Sequence, residues 1–157
     1  MKLILGVDPA TSCGLCLIDG ESKELVESYT IKAKGSTWGE KLNDFGDQFE
    51  AVFAEHFEDI AHIVYEKNGR FASDLITLFV GRIAQALPGI KIGEKAHGVG
   101  CQTWKKWVRL ECGINIKDPK GCESLAMVRP GWEEDMGDDE ADAAMIALCW
   151  LSKRKNI

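Results

Sequence analysis

The sequence predicts an α/β fold built on a five-stranded mixed sheet with helices on both faces. Three short apolar segments near the N-terminus are joined by only a few residues each, which favours an antiparallel meander of strands 1–3. Segments with helical periodicity precede the fourth and fifth strands, which favours parallel strands after the meander. The chain has 157 residues and 45% hydrophobic content, enough for a buried core. We therefore expect a single domain over residues 1–157.

The meander is expected to comprise strands at residues 3–8, 12–19 and 25–33. The connections between them, at 9–11 and 20–24, are too short for a crossover. Successive strands with such short links are neighbours that run in opposite directions.

Residues 37–57 predict the first helix. Apolar side chains recur there mostly at steps of three and four, as on one face of a helix. They are Trp38, Leu42, Phe45, Phe49, Val52 and Phe53. Ser36 or Thr37 is expected to cap this helix, with Glu40 at capping-box distance from Thr37.

Strands and helices alternate in the rest of the chain. Asn68 and Gly69 predict a turn, and Pro88 and Gly89 are expected to end a helix. The expected elements are a strand at 60–66, a helix at 71–87, a strand at 90–92, a helix at about 102–112 and a last helix at about 138–152.

Charge is unevenly distributed along the sequence. The formal net charge is −6, but residues 67–132 carry 11 Lys and Arg against 5 Asp and Glu, whereas residues 1–66 carry 5 against 13. Local positive potential, rather than net charge, steers a polyanion. The basic middle is therefore compatible with nucleic-acid binding, although Lys and Arg that only solvate helix faces would give the same count.

The six cysteines are expected to be free thiols. The N-terminal apolar run is short and is broken by Asp8, unlike a secretory signal, and no apolar run approaches the ~18 residues of a membrane span. We therefore expect a soluble, cytoplasmic protein without a disulfide framework. Cys13 and Cys16 form a C-x-x-C motif, but residues three apart in a strand point to opposite faces. A looser zinc alternative, which we do not favour, combines His97, Cys101, Cys112 and Cys122.

Acidic residues occur at the ends of two predicted strands. Asp8 ends the first strand and Glu66 the fourth. If these strands are parallel neighbours, their C-terminal ends lie side by side. Asp139 and Asp142 share one face of the last helix because they are three residues apart. The alanines that follow them would let this helix pack closely on the sheet.

Four carboxylates at one place repel one another and require cations. All-oxygen ligands suit Mg²⁺ or Mn²⁺, and two such ions about 4 Å apart can support phosphodiester hydrolysis. Each acidic group also has a structural interpretation. Asp8 alone could cap a turn, and Glu66 alone could be a solvated strand end. Residues 138–140 could simply form an acidic helix N-terminus, which the helix dipole favours.

Three motifs together resemble a known family. In chain order they are GVDPATSCGLCLID at 6–19, IVYE at 63–66 and DDEADAAMIAL at 138–148. They resemble the RuvC-like Holliday junction resolvases of the RNase H-like superfamily, and the resemblance spans nearly the whole chain. It implies an RNase H-like fold and a homodimer that nicks two strands of a four-way DNA junction symmetrically in recombination and repair. The alternatives to a cytoplasmic location are the host cytoplasm, for a phage-encoded protein, and an organelle matrix.

The resemblance implies a metal site as well. The family's four metal-binding carboxylates map to Asp8, Glu66, Asp139 and Asp142. They would hold Mg²⁺ or Mn²⁺, two ions per site, and cleavage would leave 5′-phosphate and 3′-hydroxyl ends.

Other functional positions follow from the same resemblance. The lysine that assists the chemistry maps to Lys105, within GVGCQTWKKWV, or to its rival Lys120. The helix at residues 73–87, SDLITLFVGRIAQAL, resembles the family's helix at the dimer interface.

Basic and aromatic residues near these motifs are candidates for DNA contacts. They are Arg70, Phe71, Lys105, Lys106, Arg109, Lys117 and Lys120. Trp104 and Trp107 are interleaved with these cations, where aromatic rings can stack on splayed bases. The alternative is that both tryptophans anchor a short helix to the core. For Phe71, stacking at the junction and burial at a helix start both remain open.

Other functions remain compatible with the sequence. A broader branched-DNA or flap nuclease, or an RNase H-type enzyme, would use the same fold and carboxylates. A non-catalytic junction-binding protein would use the basic middle alone. An ATPase of the actin–hexokinase type would use residues 6–19 as a phosphate loop, but the chain is too short for its two domains.

Overall fold

The computed structural model describes residues 1–67, 73–91, 93–113 and 136–154 of the chain. Its strands are β1 (Leu3–Asp8), β2 (Ser12–Asp19), β3 (Leu25–Lys32), β4 (Ile60–Lys67) and β5 (Ala96–Gly100). Its α-helices are α1 (Trp38–Phe53), α2 (Ser73–Leu75), α3 (Gly81–Ala86), α4 (Cys101–Cys112) and α5 (Asp138–Ser152). A 3-10 turn (Ala54–His56) follows α1, and a π-helical turn (Ile76–Val80) joins α2 to α3. Within these ranges no helix is both long and apolar enough to cross a bilayer.

The five strands form one mixed sheet in the order β3-β2-β1-β4-β5. The pairs β1–β2 and β2–β3 are antiparallel, and the pairs β1–β4 and β4–β5 are parallel. Helix α1 carries the chain from the edge strand β3 back across the sheet, so that β4 enters beside β1 in the same direction. The predicted meander followed by parallel strands is confirmed.

The predicted position of the fifth strand is wrong. We expected it at 90–92, but the segment that pairs with β4 is β5, at Ala96–Gly100. Residues 93–95 form a turn in which Gly93 has φ +95°, a left-handed conformation that glycine adopts without strain. The sequence AHGVG has little strand character of its own, and its extended conformation comes from backbone pairing at the sheet edge.

Helix α1 begins at the predicted capping box. The Glu40 N–H donates to Thr37 Oγ1 at 3.2 Å, and the Thr37 N–H donates to Glu40 Oε2 at 3.1 Å. Two backbone donors that the first helical turn leaves without partners are thereby satisfied. The α-helix ends at Phe53 rather than at residue 57, because the chain tightens into the 3-10 turn.

Side chains of the sheet alternate between two cores, one on each face. The first core packs the sheet against α1 and the helical segment from α2 to α3, where the Phe45 and Phe79 rings stack with centroids 4.3 Å apart. The second core packs it against α4 and α5. Cys13 faces the first core and Cys16 the second, as strand geometry predicts. Helices on both faces are therefore confirmed.

Two glycines allow α5 to lie directly on the sheet. A Cβ atom at Gly6 of β1 would overlap the carbonyl oxygen of Ala143, and one at Gly14 of β2 would overlap that of Asp139. The N-terminal half of α5 therefore approaches the backbones of β1 and β2 more closely than any side chain would permit. This packing sets the position of the first turn of α5.

Gly81→Ala is expected to stabilise the protein. Gly81 begins α3 with φ −60° and ψ −44°. Apart from its chain neighbours and the backbone of its own helix, no atom of the described residues lies within 4 Å of an ideal Cβ at this position. Alanine loses less backbone entropy on folding than glycine, so we expect the free energy of unfolding to rise by about 0.5–1 kcal/mol. Urea unfolding followed by circular dichroism measures this change. An unchanged or lower free energy of unfolding would contradict either the helical conformation of Gly81 or the open space around it.

Candidate active site

The C-terminal ends of β1 and β4 lie side by side. Val7 of β1 pairs with Tyr65 of β4, so the next residues, Asp8 and Glu66, lie at the same level of the sheet. On its other side Asp8 is opposite Gly14 of β2. The structure thus brings together the two strand-terminal carboxylates that the sequence singled out.

Helix α5 adds two further carboxylates at this place. Its first turn lies against β2 at Gly14, the residue opposite Asp8. Asp139 and Asp142, three residues apart, share one face of the helix. Both of them act electrostatically on Asp8, as Glu66 does. All four predicted carboxylates therefore belong to one neighbourhood around Asp8.

The environment of Asp8 disfavours its charged form. Burial, then the negative charges of Glu66, Asp142 and Asp139, raise the pKa of Asp8 from 3.8 to about 7, against a smaller opposing effect of Lys105. Loss of hydration and like charges both penalise a carboxylate. A cation near Asp8 would offset both penalties, so the electrostatics of the site favour cation binding.

Glu66 is held by two residues that the sequence analysis did not connect with it. It is only 7% exposed, and Trp104 Nε1 donates a hydrogen bond to its Oε2 atom at 2.5 Å. The Cys101 thiol interacts with both the Glu66 carboxylate and the Lys105 ammonium group. A buried carboxylate requires such partners, because unpaired burial is costly.

Lys105, one of the two lysines predicted to assist the chemistry, interacts with the carboxylates. It is partly buried and interacts with Glu66 and Asp142. Burial lowers the pKa of Lys105, but interactions with Cys101, Glu66 and Asp142 outweigh it, so the pKa is raised and the side chain stays cationic. Its positive charge partly balances the acidic cluster.

Two further predicted DNA contacts, Lys106 and Arg109, are exposed on α4. Four further candidates, from the sequence analysis, lie outside the described residues: Arg70, Phe71, Lys117 and Lys120.

Base stacking by Trp104 is excluded by its burial. Trp104 is 1% exposed and Trp107 is partly buried against the same core. The alternative interpretation, that these rings anchor α4 to the core, is therefore confirmed for Trp104, which in addition contacts Glu66.

The position of α4 explains why sequence analysis missed Cys101 and Trp104. Helix α4 starts directly after β5, and Val99 of β5 is opposite Glu66. Because we expected the fifth strand at 90–92, no pattern in the sequence indicated that α4 begins next to Glu66. The spacing of Cys101, Trp104 and Lys105 on one helical face was the available signal.

The donor set has the chemistry of a magnesium or manganese site. Within residues 1–67, 73–91, 93–113 and 136–154, no three or more His, Cys, Asp or Glu side chains are close enough together to hold a metal ion as they stand. Even so, the site offers carboxylate oxygens, which hard divalent cations prefer, and a partly buried acidic group with a raised pKa. The residues present therefore fit such an ion by donor type and by charge.

The zinc alternative finds no support among the described residues. His97 Nε2 lies 3.1 Å from His62 Nδ1, so His97 is engaged by another histidine. Cys101 instead lies beside Glu66 and Lys105. Cys122 lies outside the described residues.

Comparison with known proteins gives a fold but no sequence relative. No protein-family model and no curated protein matches the chain. Among solved structures, it is similar to the RuvC structure of Thermus thermophilus, with a TM-score of 0.66 and 16% identity over 94% of this chain and 92% of that one. It is also similar to T. thermophilus RuvC in complex with a Holliday junction substrate, with a TM-score of 0.64 and 14% identity over 95% of this chain and 92% of that one.

These similarities establish the fold of the chain. It is the RNase H-like fold of RuvC, with the strand order and the mixture of parallel and antiparallel pairs described above. The fold expected from the three sequence motifs is confirmed.

Proposed function

We propose that the protein is a metal-dependent, structure-selective DNA endonuclease that cleaves four-way junctions by symmetric nicking in DNA recombination and repair. The observation that carries this proposal is the acidic neighbourhood of Asp8, in which Glu66, Asp139 and Asp142 all act on one partly buried carboxyl group. The fold is that of RuvC, one structure of which is a complex with a Holliday junction substrate. A carboxylate cluster on this fold suits phosphodiester hydrolysis.

The four carboxylates would hold Mg²⁺ or Mn²⁺, with two ions per site. Bound there, such ions would activate water for in-line attack and stabilise the leaving oxygen. Asp8 would lose its proton when a cation binds, because the cation offsets the repulsion that raises the Asp8 pKa. Glu66 would present a fixed carboxylate, since Trp104 holds one of its oxygens.

Cations of α4 would bind the DNA backbone. Lys105 already lies beside Glu66 and Asp142, so a scissile phosphate at the carboxylates would meet its ammonium group. The exposed Lys106 and Arg109 would bind flanking phosphates. The sequence also assigns Arg70, Phe71, Lys117 and Lys120 to DNA binding, with Lys120 a second candidate for assisting the chemistry.

A homodimer is part of the proposal. A two-fold dimer suits a substrate that is itself nearly two-fold symmetric. The helical segment at residues 73–87 would form the interface, and its Leu75, Ile76 and Leu78 are only partly buried. Sedimentation velocity on the isolated protein tests the dimer directly.

Cleavage of synthetic DNA tests the function. We expect a labelled four-way junction to be cut with Mg²⁺ or Mn²⁺ at paired, symmetric positions, faster than a fork, a flap or an RNA–DNA hybrid. Equal cleavage of all substrates would favour the broader branched-DNA nuclease or the RNase H-type enzyme. Binding without cleavage in both metals would contradict nuclease function and favour a junction-binding protein. Stabilisation by ATP would favour the ATPase alternative.

A further inference from the structure

We propose that Trp104 and Cys101 are positioning residues that hold Glu66 in the orientation in which it binds a divalent cation. This inference deepens the proposed function and rests on it. It assigns a role to two side chains that are not themselves expected metal ligands.

The backbone puts both residues next to Glu66. Glu66 lies opposite Val99, and the following pair joins Lys67 to Gly100, the last residue of β5. Helix α4 begins at the next residue. Its first turn therefore stands at the C-terminal end of β4, with Cys101 and Trp104 on one helical face.

The indole of Trp104 can orient Glu66 but cannot replace it as a ligand. Trp104 Nε1 donates to Glu66 Oε2, and an indole N–H is a donor only. Both side chains are buried, with exposed fractions of 1% for Trp104 and 7% for Glu66. In such surroundings a hydrogen bond to a carboxylate is strong. Its removal costs free energy because the carboxylate oxygen loses this donor.

Cys101 links Glu66 to the lysine of the site. Its thiol interacts with both Glu66 and Lys105. Trp104, through its hydrogen bond, and Cys101, through its neighbouring thiol, thus act on the same carboxylate from one turn of α4. Such partners are expected beside a metal ligand that must not rotate.

Metal titration without DNA tests the inference on the full-length protein. Loss of a hydrogen-bonding partner of a metal ligand typically weakens metal binding about 10–100-fold. We expect Trp104→Phe to raise the Kd for Mn²⁺ about tenfold, measured by isothermal titration calorimetry, because the ring still fills the core but the N–H is gone. Excess metal should then restore most of the single-turnover cleavage rate.

Trp107→Phe is the matched control. Trp107 is in the same helix and packs on the same core, partly buried. Its substitution removes the same indole N–H one turn away, so the Kd for Mn²⁺ should not change. An equal Kd for the wild type and Trp104→Phe would overturn the proposal. An equal weakening in both tryptophan variants would overturn it too, since it would mean that the indoles only support the fold.

Cys101→Ala keeps the test decisive if Trp104→Phe does not fold. Cys101 is partly exposed, so its truncation is expected to leave the core intact. A higher Kd for Mn²⁺ in this variant supports the proposal and an unchanged Kd overturns it.

Failure of the proposed function can be distinguished from failure of this inference. A wild type that binds Mn²⁺ without cutting DNA contradicts the nuclease function alone. A wild type that binds no Mn²⁺ contradicts both proposals.

Discussion

Asp8→Asn is expected to abolish cleavage and, at the same time, to stabilise the metal-free protein. The first effect follows from the loss of a metal-binding oxygen with its charge. Metal ions contribute several kcal/mol to stabilising the transition state, so we expect the cleavage rate to fall about a thousandfold or more. A single-turnover assay on a labelled four-way junction measures this loss.

The gain in stability follows from the raised pKa of Asp8. In the unfolded chain this carboxyl has its ordinary pKa of 3.8, and in the folded, metal-free protein the pKa is about 7. Between these values the folded state holds a proton that the unfolded state has released, so stability falls as the pH rises through this window. Above pH 7 Asp8 is ionised in both states, and the full cost of its charge in the folded protein has been subtracted from the stability. The full rise of the pKa, from 3.8 to about 7, corresponds to about 4 kcal/mol, and solvent screening of this partly exposed group reduces it. Asparagine carries no charge and avoids this cost, so we expect a gain of roughly 2 kcal/mol at pH 8 and little gain at pH 4.

Urea unfolding in the presence of EDTA measures this effect at both pH values. Asp19→Asn is the matched control, because Asp19 also ends a strand but accepts hydrogen bonds from the Glu21 and Ser22 N–H groups at 2.8 Å. These bonds hold the pKa of Asp19 below its ordinary value, so its substitution should not stabilise the protein. A less stable Asp8→Asn variant at pH 8 would contradict the electrostatic account, and an active one would contradict the proposed role of Asp8.

Much of the fold could be predicted because local and long-range signals agree. The predicted strands at 3–8 and 12–19 have the bounds of β1 and β2, and the last helix has the predicted bounds. In these segments the hydrophobic pattern and the turn residues indicate the same structure. The neighbourhood of Asp8 and Glu66 also follows from the sequence, because a helix between two strands favours parallel neighbours.

The remaining features depend on tertiary contacts that the pattern does not encode. Strand β5 contains two glycines in five residues and extends because β4 offers a free edge. The π-helical turn at Ile76–Val80 interrupts what reads as one regular helix. The bond from Trp104 to Glu66 joins residues 38 positions apart. Each of these required knowledge of which segments lie next to one another.

Gly14→Ala is expected to be among the most damaging small substitutions in the chain. Its Cβ would overlap the carbonyl oxygen and carbon of Asp139, which are backbone atoms that cannot rotate away. Either β2 or the first turn of α5 must shift. Overpacking of this kind typically costs 1–3 kcal/mol, and we expect about 3 kcal/mol because both partners are main chain. Urea unfolding measures the loss.

The same substitution should weaken metal binding in molecules that remain folded. A shift of the first turn of α5 moves Asp139 and Asp142 away from Asp8, and these carboxylates are two of the four proposed ligands. The Kd for Mn²⁺, corrected for the folded fraction, should therefore rise at least about tenfold.

Gly81→Ala introduces the same methyl group at a position where, apart from chain neighbours and the backbone of its own helix, no described atom lies within 4 Å of the new Cβ. The Kd of this variant for Mn²⁺ should match that of the wild type. If Gly14→Ala lost stability but bound Mn²⁺ normally, the close contact of β2 with α5 would serve packing alone. The acidic pair of α5 would then not be held in place by that contact. If Gly14→Ala kept both its stability and its affinity for Mn²⁺, the close approach of α5 to β2 at Gly14 would itself be contradicted.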